Sequence, residues 1–553
     1  MTELPAPTPV PPRRSADCWF VWAVVLVALV TTTVPYAIVA HNTPPGQYFG
    51  GVIFNVQDQN QYYMWMRQAA EGQVLLSNQM MPEPHQPFFP NSFWWALGVL
   101  SRVADPAAVV QGARLLLVVA FVLVLWWFLG LVLADARQRR ACLLLVVFGG
   151  GFIPIFSLLK ISWDGGPPAG TSALNVLELL AWPSLAVYPH FVAALVLLLG
   201  MIGLCLQAFT AATRRHVHAC SAGLLGAVVA SFHLFDIATA VAVVGGYALV
   251  SKRAGCAPRG VPALLAMVLG PGVIVTGLVA HSIAASPVGH QWSANNVMVS
   301  PSPFAVAVAL GLPLLLALSD HRRILHWHEQ SLRSLLAPTW LLANVLVAYT
   351  DAVIPFERRL LMGLQVPVAI LAVQVWGERV VPAWERWRAS QGPTAALPAA
   401  VAWGVLVVLV LPQTFATGTM LAGRGRLQPE YVSQNLVSLC QELPATPAGP
   451  ILCEESIGSW LPRFTGRAVY VGHLFLTPHY QQRLKQMQAF FDPATRDDDR
   501  LATLRQSHCS LLLAERSQRP ALEALLRQGV LVPLIGNAEY ETFAINLRPT
   551  GAG

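Results

Sequence analysis

Uncharged apolar runs dominate the first 421 residues: Cys18–Ala40, Leu115–Ala134, Ala141–Leu159, Ala186–Phe209, Val261–Ala285, Pro303–Ser319, Leu335–Tyr349, Leu360–Gly377 and Ala395–Leu421. A helix needs about 20 predominantly apolar residues to cross a bilayer, and these runs reach or approach that length. The stretch Ala219–Val250 is also apolar. As one helix it would be about 48 Å long at 1.5 Å per residue, against a hydrocarbon core of about 30 Å. His233 and Asp236 interrupt it, and Arg214-Arg215 and Lys252-Arg253 flank it. It therefore reads as a hairpin of two helices with His233-Leu-Phe-Asp236 at its tip, which brings the expected number of spans to about 11.

From residue 422 the pattern changes. Charges become frequent and apolar runs shorten. Residues 451–453, 468–471, 511–513, 530–534 and 543–546 read as strands, and 478–491, 500–506 and 520–528 as helices. Strands interleaved with helices predict a small α/β domain over 422–553. It shows no glycine-rich phosphate loop, metal-ligand cluster or serine elbow, and no internal repeat is evident. The expected organisation is a tail at 1–17, a membrane domain at 18–421 with a large first outer loop at 41–106, and the C-terminal domain.

Composition agrees. The chain is 55% hydrophobic and 11% charged, whereas soluble domains carry about 25% charged residues. The net charge of +7 forms no single basic stripe, so nucleic acid is not an expected partner. Sixteen Lys and Arg fall in the tail and in residues 135–140, 210–218, 251–260, 320–334 and 378–394, against five in the alternate loops. The positive-inside rule then places the N-terminus in the cytoplasm and the C-terminal domain outside it. The first apolar run, 23 residues long, exceeds a signal-peptide core and reads as a retained helix after a disordered, Pro-rich cytoplasmic tail. Cys18, Cys142, Cys205 and Cys220 read as small hydrophobes. Cys440, Cys453 and Cys509 lie in the C-terminal domain, and no pairing follows from their number.

Polar residues gather on the outer side. In the first loop a helix is expected from Asn60 and ends at Gly72, with Tyr62, Trp65, Met66 and Ala69 on one face, suited to a membrane interface. Asp58 precedes it and has two readings. It is a general base for an acceptor hydroxyl, or an N-cap paired with Gln61. Glu83 and His85 sit in a Pro-stiffened stretch, as substrate contacts or as solvated loop; two ligands are too few for a metal site. His190, His233 and Asp236 lie near outer span ends, where ionisable groups serve function or tie helices together. Arg358 and Arg359 break the positive-inside trend. They suit a phosphate at the lipid interface, or they pair with Glu357 or an outer-loop carboxylate. Asp164, in a second outer loop, is a further candidate.

Together these motifs — Asp58-Gln-Asn60-x-Tyr62-(x)3-Met66-Arg67-(x)4-Gly72, Pro189-His190-Phe191, His233-(x)2-Asp236, Phe356-Glu-Arg-Arg-Leu-Leu-Met-Gly363, and Gly466-Arg-(x)3-Val471-Gly-His473 followed by Thr477 — resemble bacterial members of the GT-C superfamily of membrane glycosyltransferases. The resemblance implies a polytopic α-helical membrane protein with an extracytoplasmic C-terminal α/β domain, set in the bacterial cytoplasmic (inner) membrane. It implies a polyprenyl-phosphate-linked sugar as donor, with a glycan, lipid or protein acceptor left open. Asp58 takes the place of the superfamily's first-loop catalytic carboxylate. Arg358 and Arg359 take the lipid phosphate, and His85, His190, Asp164, His233 and Asp236 are further substrate-binding candidates. Protein mannosyltransferases and aminoarabinose transferases of this superfamily carry an Asp-Glu pair where this chain has Asp58-Gln59. Oligosaccharyltransferases carry Trp-Trp-Asp in their soluble domain, whereas Trp94-Trp95 precedes Ala96 in the first loop. No cofactor is assigned, and a divalent metal is left open. A lipid-linked glycan transporter and a non-catalytic scaffold of the same fold are the alternatives.

Overall fold

The computed structural model describes residues 15–160, 177–327, 330–350, 356–390, 399–423, 430–443 and 447–547. Its main body is a bundle of apolar helices. Among the described residues, seven are long and apolar enough to cross a membrane: Asp17–His41, Pro106–Val132, Pro189–Thr210, Phe235–Arg253, Val261–Ala284, Glu357–Ser390 and Ala400–Gly423. Pro303–Ser319 and Leu332–Ala348 are shorter and equally apolar. Ala136–Phe148 and Arg215–Ala230 occupy the two remaining apolar runs. The protein is a polytopic helical membrane protein.

Burial separates centre from periphery. The most apolar part of Glu357–Ser390 is 89% buried and that of Pro189–Thr210 is 78% buried, against 22% for Val261–Ala284. The first two form the middle of the bundle, so side chains at their ends face the interior. Outer helices show Leu116, Ile274, Leu278 and Phe415 on their surfaces, as bilayer-facing helices do.

The stretch Ala219–Val250 breaks into Arg215–Ala230 and Phe235–Arg253, with the turn at Ser231–Leu234. Close glycine contacts fix the direction of the neighbours. Gly223 lies against the Met267 carbonyl, and Gly226 against Val268 and Gly272. Arg215–Ala230 and Val261–Ala284 therefore run parallel in direct contact, and Phe235–Arg253 runs antiparallel to both. The apolar run Ala141–Leu159 is broken as well. A Cβ on Gly151 would sit 2.1 Å from the Val308 carbonyl, and the Phe152 N–H donates to that carbonyl at 2.7 Å. This close backbone crossing, opposite Gly311 at φ +53°, ends one helix at Phe148 and starts another at Ile153. The first helix begins at Ser15, three residues before the apolar run, and Asp17 pairs with Arg140 at 2.5 Å. The rest of the expected disordered tail lies outside the described residues.

The C-terminal segment carries a four-stranded sheet in the order Ile451–Leu452, Leu511–Glu515, Tyr540–Ile545, Leu531–Gly536. The first pair is parallel and the others antiparallel. The expected strand at 468–471 contributes one bridge, Val469 to Ile451. Helices Tyr480–Phe491, Asp497–Gln506 and Arg519–Arg527 match the expected ones closely.

This segment is fastened to the first loop. Gln47–Phe49 pairs antiparallel with Tyr431–Ser433. Arg463 donates to the Gly50 carbonyl (2.8 Å) and to Asn60 (3.2 Å), and its guanidinium lies 3.6 Å from the Tyr63 ring centre. Burial pushes the Tyr63 hydroxyl up to about 12 despite that cation. Asn78 donates to the Leu476 carbonyl at 2.8 Å, and Glu83 pairs with Arg483. The first-loop helix, Val56–Ala70, thus lies between the C-terminal segment and the helix Ser92–Leu100, with Tyr63, Met64, Met66 and Gln68 buried. It starts four residues before Asn60, and it is covered by protein on both sides where a helix at the membrane interface was expected.

Candidate active site

Asp58 is the third residue of that helix, so it is no N-cap. Asn55 holds the capping position with φ +49°, a left-handed conformation that asparagine tolerates, and makes no side-chain cap. Its amide instead donates to Asp58 Oδ2 at 2.6 Å and to the Tyr188 hydroxyl at 3.1 Å. The other carboxylate oxygen accepts from His473 Nε2 at 2.9 Å. The first helical turn also favours a negative charge.

His473 comes from the C-terminal segment and is buried. Its Nδ1 accepts from the backbone N–H of Phe475 (3.1 Å) and Leu476 (3.3 Å). The ring proton therefore resides on Nε2, and His473 is a donor to Asp58. Thr477 fixes the turn: its hydroxyl accepts from the N–H groups of Gly472 and His473 and donates to the Met80 carbonyl at 2.9 Å. Gly472 has to be glycine here, since a Cβ would lie 2.8 Å from both the Gly458 carbonyl oxygen and Met80 Sδ. Beside Asp58, Gln57 donates to Glu455, whose carboxyl is held above its ordinary range by burial.

Asp58 and His473 line a cavity of about 250 Å³ together with Tyr62, His190, His233 and Arg359. Its walls are aromatic, including Trp65, Phe89, Trp94 and Trp292. Tyr62 stacks on Trp94 (4.4 Å between centroids, 8° between planes), and its hydroxyl lies 3.4 Å from His190 Nε2. Burial raises the Tyr62 hydroxyl, with Asp58 pushing it further up and Arg359 drawing it down. The phenol is a neutral hydrogen-bonding group influenced by the carboxylate and by the guanidinium.

The two adjacent arginines diverge. Arg358 donates to Glu178, an outer-loop carboxylate, at 3.0 and 3.2 Å and does not line the cavity. The guanidinium of Arg359 stands over Phe235 (5.0 Å) and Phe191 (5.8 Å), with a buried Nε that has no hydrogen-bond partner among the described residues. Both sit in one short 3-10 turn, Glu357–Leu361, from which their side chains leave in different directions.

The other expected residues divide similarly. His190 and His233 line the cavity, each with one buried ring nitrogen lacking a partner among the described residues. Asp236 lies behind His233, accepting from its Nδ1 at 3.1 Å, outside the cavity wall. His85 is away from the cavity. Its Nδ1 meets the Glu83 carbonyl at 2.9 Å and its Nε2 accepts from the Asn78 N–H at 3.0 Å, so both nitrogens are spent on folding the loop. Asp164 lies outside the described residues.

The helical bundle with its capping C-terminal segment has solved counterparts. The oligosaccharyltransferase of Archaeoglobus fulgidus, solved with a tethered acceptor peptide, covers 97% of this chain and 75% of its own at a TM-score of 0.52 and 11% identity. ArnT from Cupriavidus metallidurans covers 98% of this chain and 100% of its own, with a TM-score of 0.52 and 14% identity. The mycobacterial arabinofuranosyltransferase AftD covers 96% of this chain at a TM-score of 0.55 and 15% identity, and 42% of its own length. The chain has the GT-C glycosyltransferase fold. No family model matches the sequence, and no curated protein matches it.

Within the GT-C fold the donor set around Asp58 does not fit a divalent metal. Both carboxylate oxygens accept hydrogen bonds, His473 presents an N–H, and Gln59 donates its amide to the Val187 carbonyl at 3.2 Å. Among the described residues no three His, Cys, Asp or Glu side chains converge as ligands. His473, Asn55 and Tyr62 are site residues that sequence reasoning does not place at the site; Tyr62 reads there as part of a membrane-interface face. The Val471-Gly-His473 motif with Thr477 marks the first, but nothing local to it points to a partner 415 residues away.

Proposed function

We propose that this protein is a glycosyltransferase that uses a polyprenyl-phosphate-linked sugar on the outer face of the cytoplasmic membrane. The observation that carries the reading is one cavity bounded by a held carboxylate, Asp58, and by an open guanidinium, Arg359. A glycosyl phosphate needs these two groups. Asp58 takes the proton of an acceptor hydroxyl as its oxygen attacks the anomeric carbon, with inversion. The bond from that carbon to the phosphate oxygen breaks, and the phosphate gains a negative charge. Arg359, with donors already placed, stabilises that charge. The aromatic walls offer flat apolar faces to the sugar ring and the first isoprene units.

The fold likeness supports the reading. The A. fulgidus oligosaccharyltransferase has also been solved with an inhibitory peptide and dolichol-phosphate, at a TM-score of 0.52 and 10% identity. A transporter would carry its substrate-handling ionisable groups in the middle of its spans, whereas those at this site lie at span ends: His190 and Asp236 begin their helices and His233 sits in a turn.

The test is transfer from polyprenyl-phosphate sugars in proteoliposomes. Asp58→Asn is expected to lower kcat by about 10²–10⁴-fold. Arg359→Ala is expected to cost about 10²–10³-fold, as loss of one preorganised donor does. Arg358→Ala should act mainly on stability. Unchanged kcat in Asp58→Asn would remove the carboxylate as base.

A further inference from the structure

We propose that His233, oriented by Asp236, is the acid that protonates the departing lipid phosphate; this rests on the glycosyltransferase reading above. Three observations carry it. First, His233 and Asp236 are 2% and 0% exposed and bonded Nδ1 to Oδ2 at 3.1 Å. An ionisable pair buried at the end of a membrane helix is costly, and a turn in a hairpin does not require one. Second, the bond to Asp236 fixes the proton on Nδ1. Nε2 is then the exchanging nitrogen, and it is buried without a partner among the described residues. A carboxylate behind an imidazole both selects the tautomer and stabilises the imidazolium. Third, His233 shares its part of the cavity with Arg359. Phe235 packs against both, 5.6 Å from the imidazole and 5.0 Å from the guanidinium.

The step balances. A polyprenyl phosphosugar is a phosphodiester with one negative charge. When the bond from the anomeric carbon to phosphate oxygen breaks, the electron pair stays on that oxygen and the phosphomonoester acquires a second charge. The acceptor oxygen bonds to the anomeric carbon and its proton passes to Asp58. The Nε2 proton of the His233 imidazolium passes to the phosphate, leaving neutral His233. Asp58 and His233 each end uncharged and return to their starting states by exchange with water after products leave. Arg359 binds the phosphate in both states, and Asp236 is a positioning residue.

Among the described residues, the charged and titratable groups around His233 are Asp236 three residues on, His190 from Pro189–Thr210 (rings 6.2 Å apart) and Arg359; Asp58, Tyr62, His290 and His473 lie elsewhere in the cavity wall. The experiment measures kcat and KM for a polyprenyl-phosphate sugar in proteoliposomes between pH 5 and 9. Wild type, His233→Gln, Asp236→Asn and Asp58→Asn are compared, each with the natural donor and with a phosphorothioate donor whose leaving group is less basic. In wild type, kcat should fall on the alkaline side. His233→Gln should lose about 10²-fold or more in kcat and lose that alkaline limb. Asp236→Asn should move the limb to lower pH. The phosphorothioate donor should recover a larger share of the rate in His233→Gln than in Asp58→Asn. A wild-type kcat flat to pH 9 overturns the inference and requires no variant to fold. So does a His233→Gln effect confined to KM, which marks a phosphate contact only. Absence of wild-type transfer sinks the glycosyltransferase reading itself, whereas active wild type with indifferent His233 and Asp236 variants sinks the inference alone.

Discussion

At the scale of single residues, the site depends on where protons are held. His473 has its Nδ1 committed to two backbone N–H groups, so it meets Asp58 as a donor and leaves the carboxylate its charge. A hydrogen bond to a charged group contributes about 1.5–3 kcal/mol. His473→Phe should therefore lower kcat by roughly 10–100-fold with little change in donor KM, while His473→Gln, which keeps an N–H donor, should retain more. Steady-state kinetics in proteoliposomes decides it, and equal losses in the two variants would show that the donated proton is irrelevant. Residue chemistry was partly legible in the sequence. The two breaches of the positive-inside trend, Arg358 and Arg359, were visible as exceptions, yet which one is open was not. That depends on Glu178, which lies 180 positions away and takes Arg358.

At the scale of elements, the helix Val56–Ala70 carries Asp58 and Tyr62 and is located by its neighbours. Gly98, in the helix Ser92–Leu100, lies so close that a Cβ would sit 2.4 Å from the Met66 carbonyl oxygen and 2.6 Å from Ala69 Cβ. Overpacking of this kind costs about 1–3 kcal/mol. Gly98→Ala should lower Tm in detergent and also kcat, because the helix moves with the carboxylate. Gly112→Ala, with nothing within 4 Å of the added carbon, should change neither. A Gly98→Ala protein with full activity would show that the site is not positioned through this contact. Long elements were legible because apolar length sets them: the broken run at His233–Asp236 announced two helices through its charges. Short elements were not. The three-residue strands Gln47–Phe49 and Tyr431–Ser433 have no pattern to read, and their pairing joins positions far apart in the chain.

At the scale of the whole molecule, the cavity and the C-terminal segment lie at one end of the bundle. The chain's alternation places residues 135–140, 210–218, 251–260 and 320–327 at the other. These basic connections are the strongest topological signal in the sequence. They predict that the Asp58 end faces away from the cytoplasm, where lipid-phosphate sugars are the available donors because soluble nucleotide sugars are absent. A C-terminal alkaline phosphatase fusion should be active and a C-terminal green fluorescent protein fusion dark. The reverse result would put the cavity on the cytoplasmic side and remove the argument for a lipid-phosphate donor drawn from location. The open guanidinium of Arg359 beside an aromatic wall would remain to be explained by another phosphate. Orientation and phosphate chemistry are therefore independent tests. Their agreement is what the proposed reaction needs, since a charged phosphate head can stay at the membrane surface while its prenyl tail lies in the bilayer only if the cavity opens at that surface.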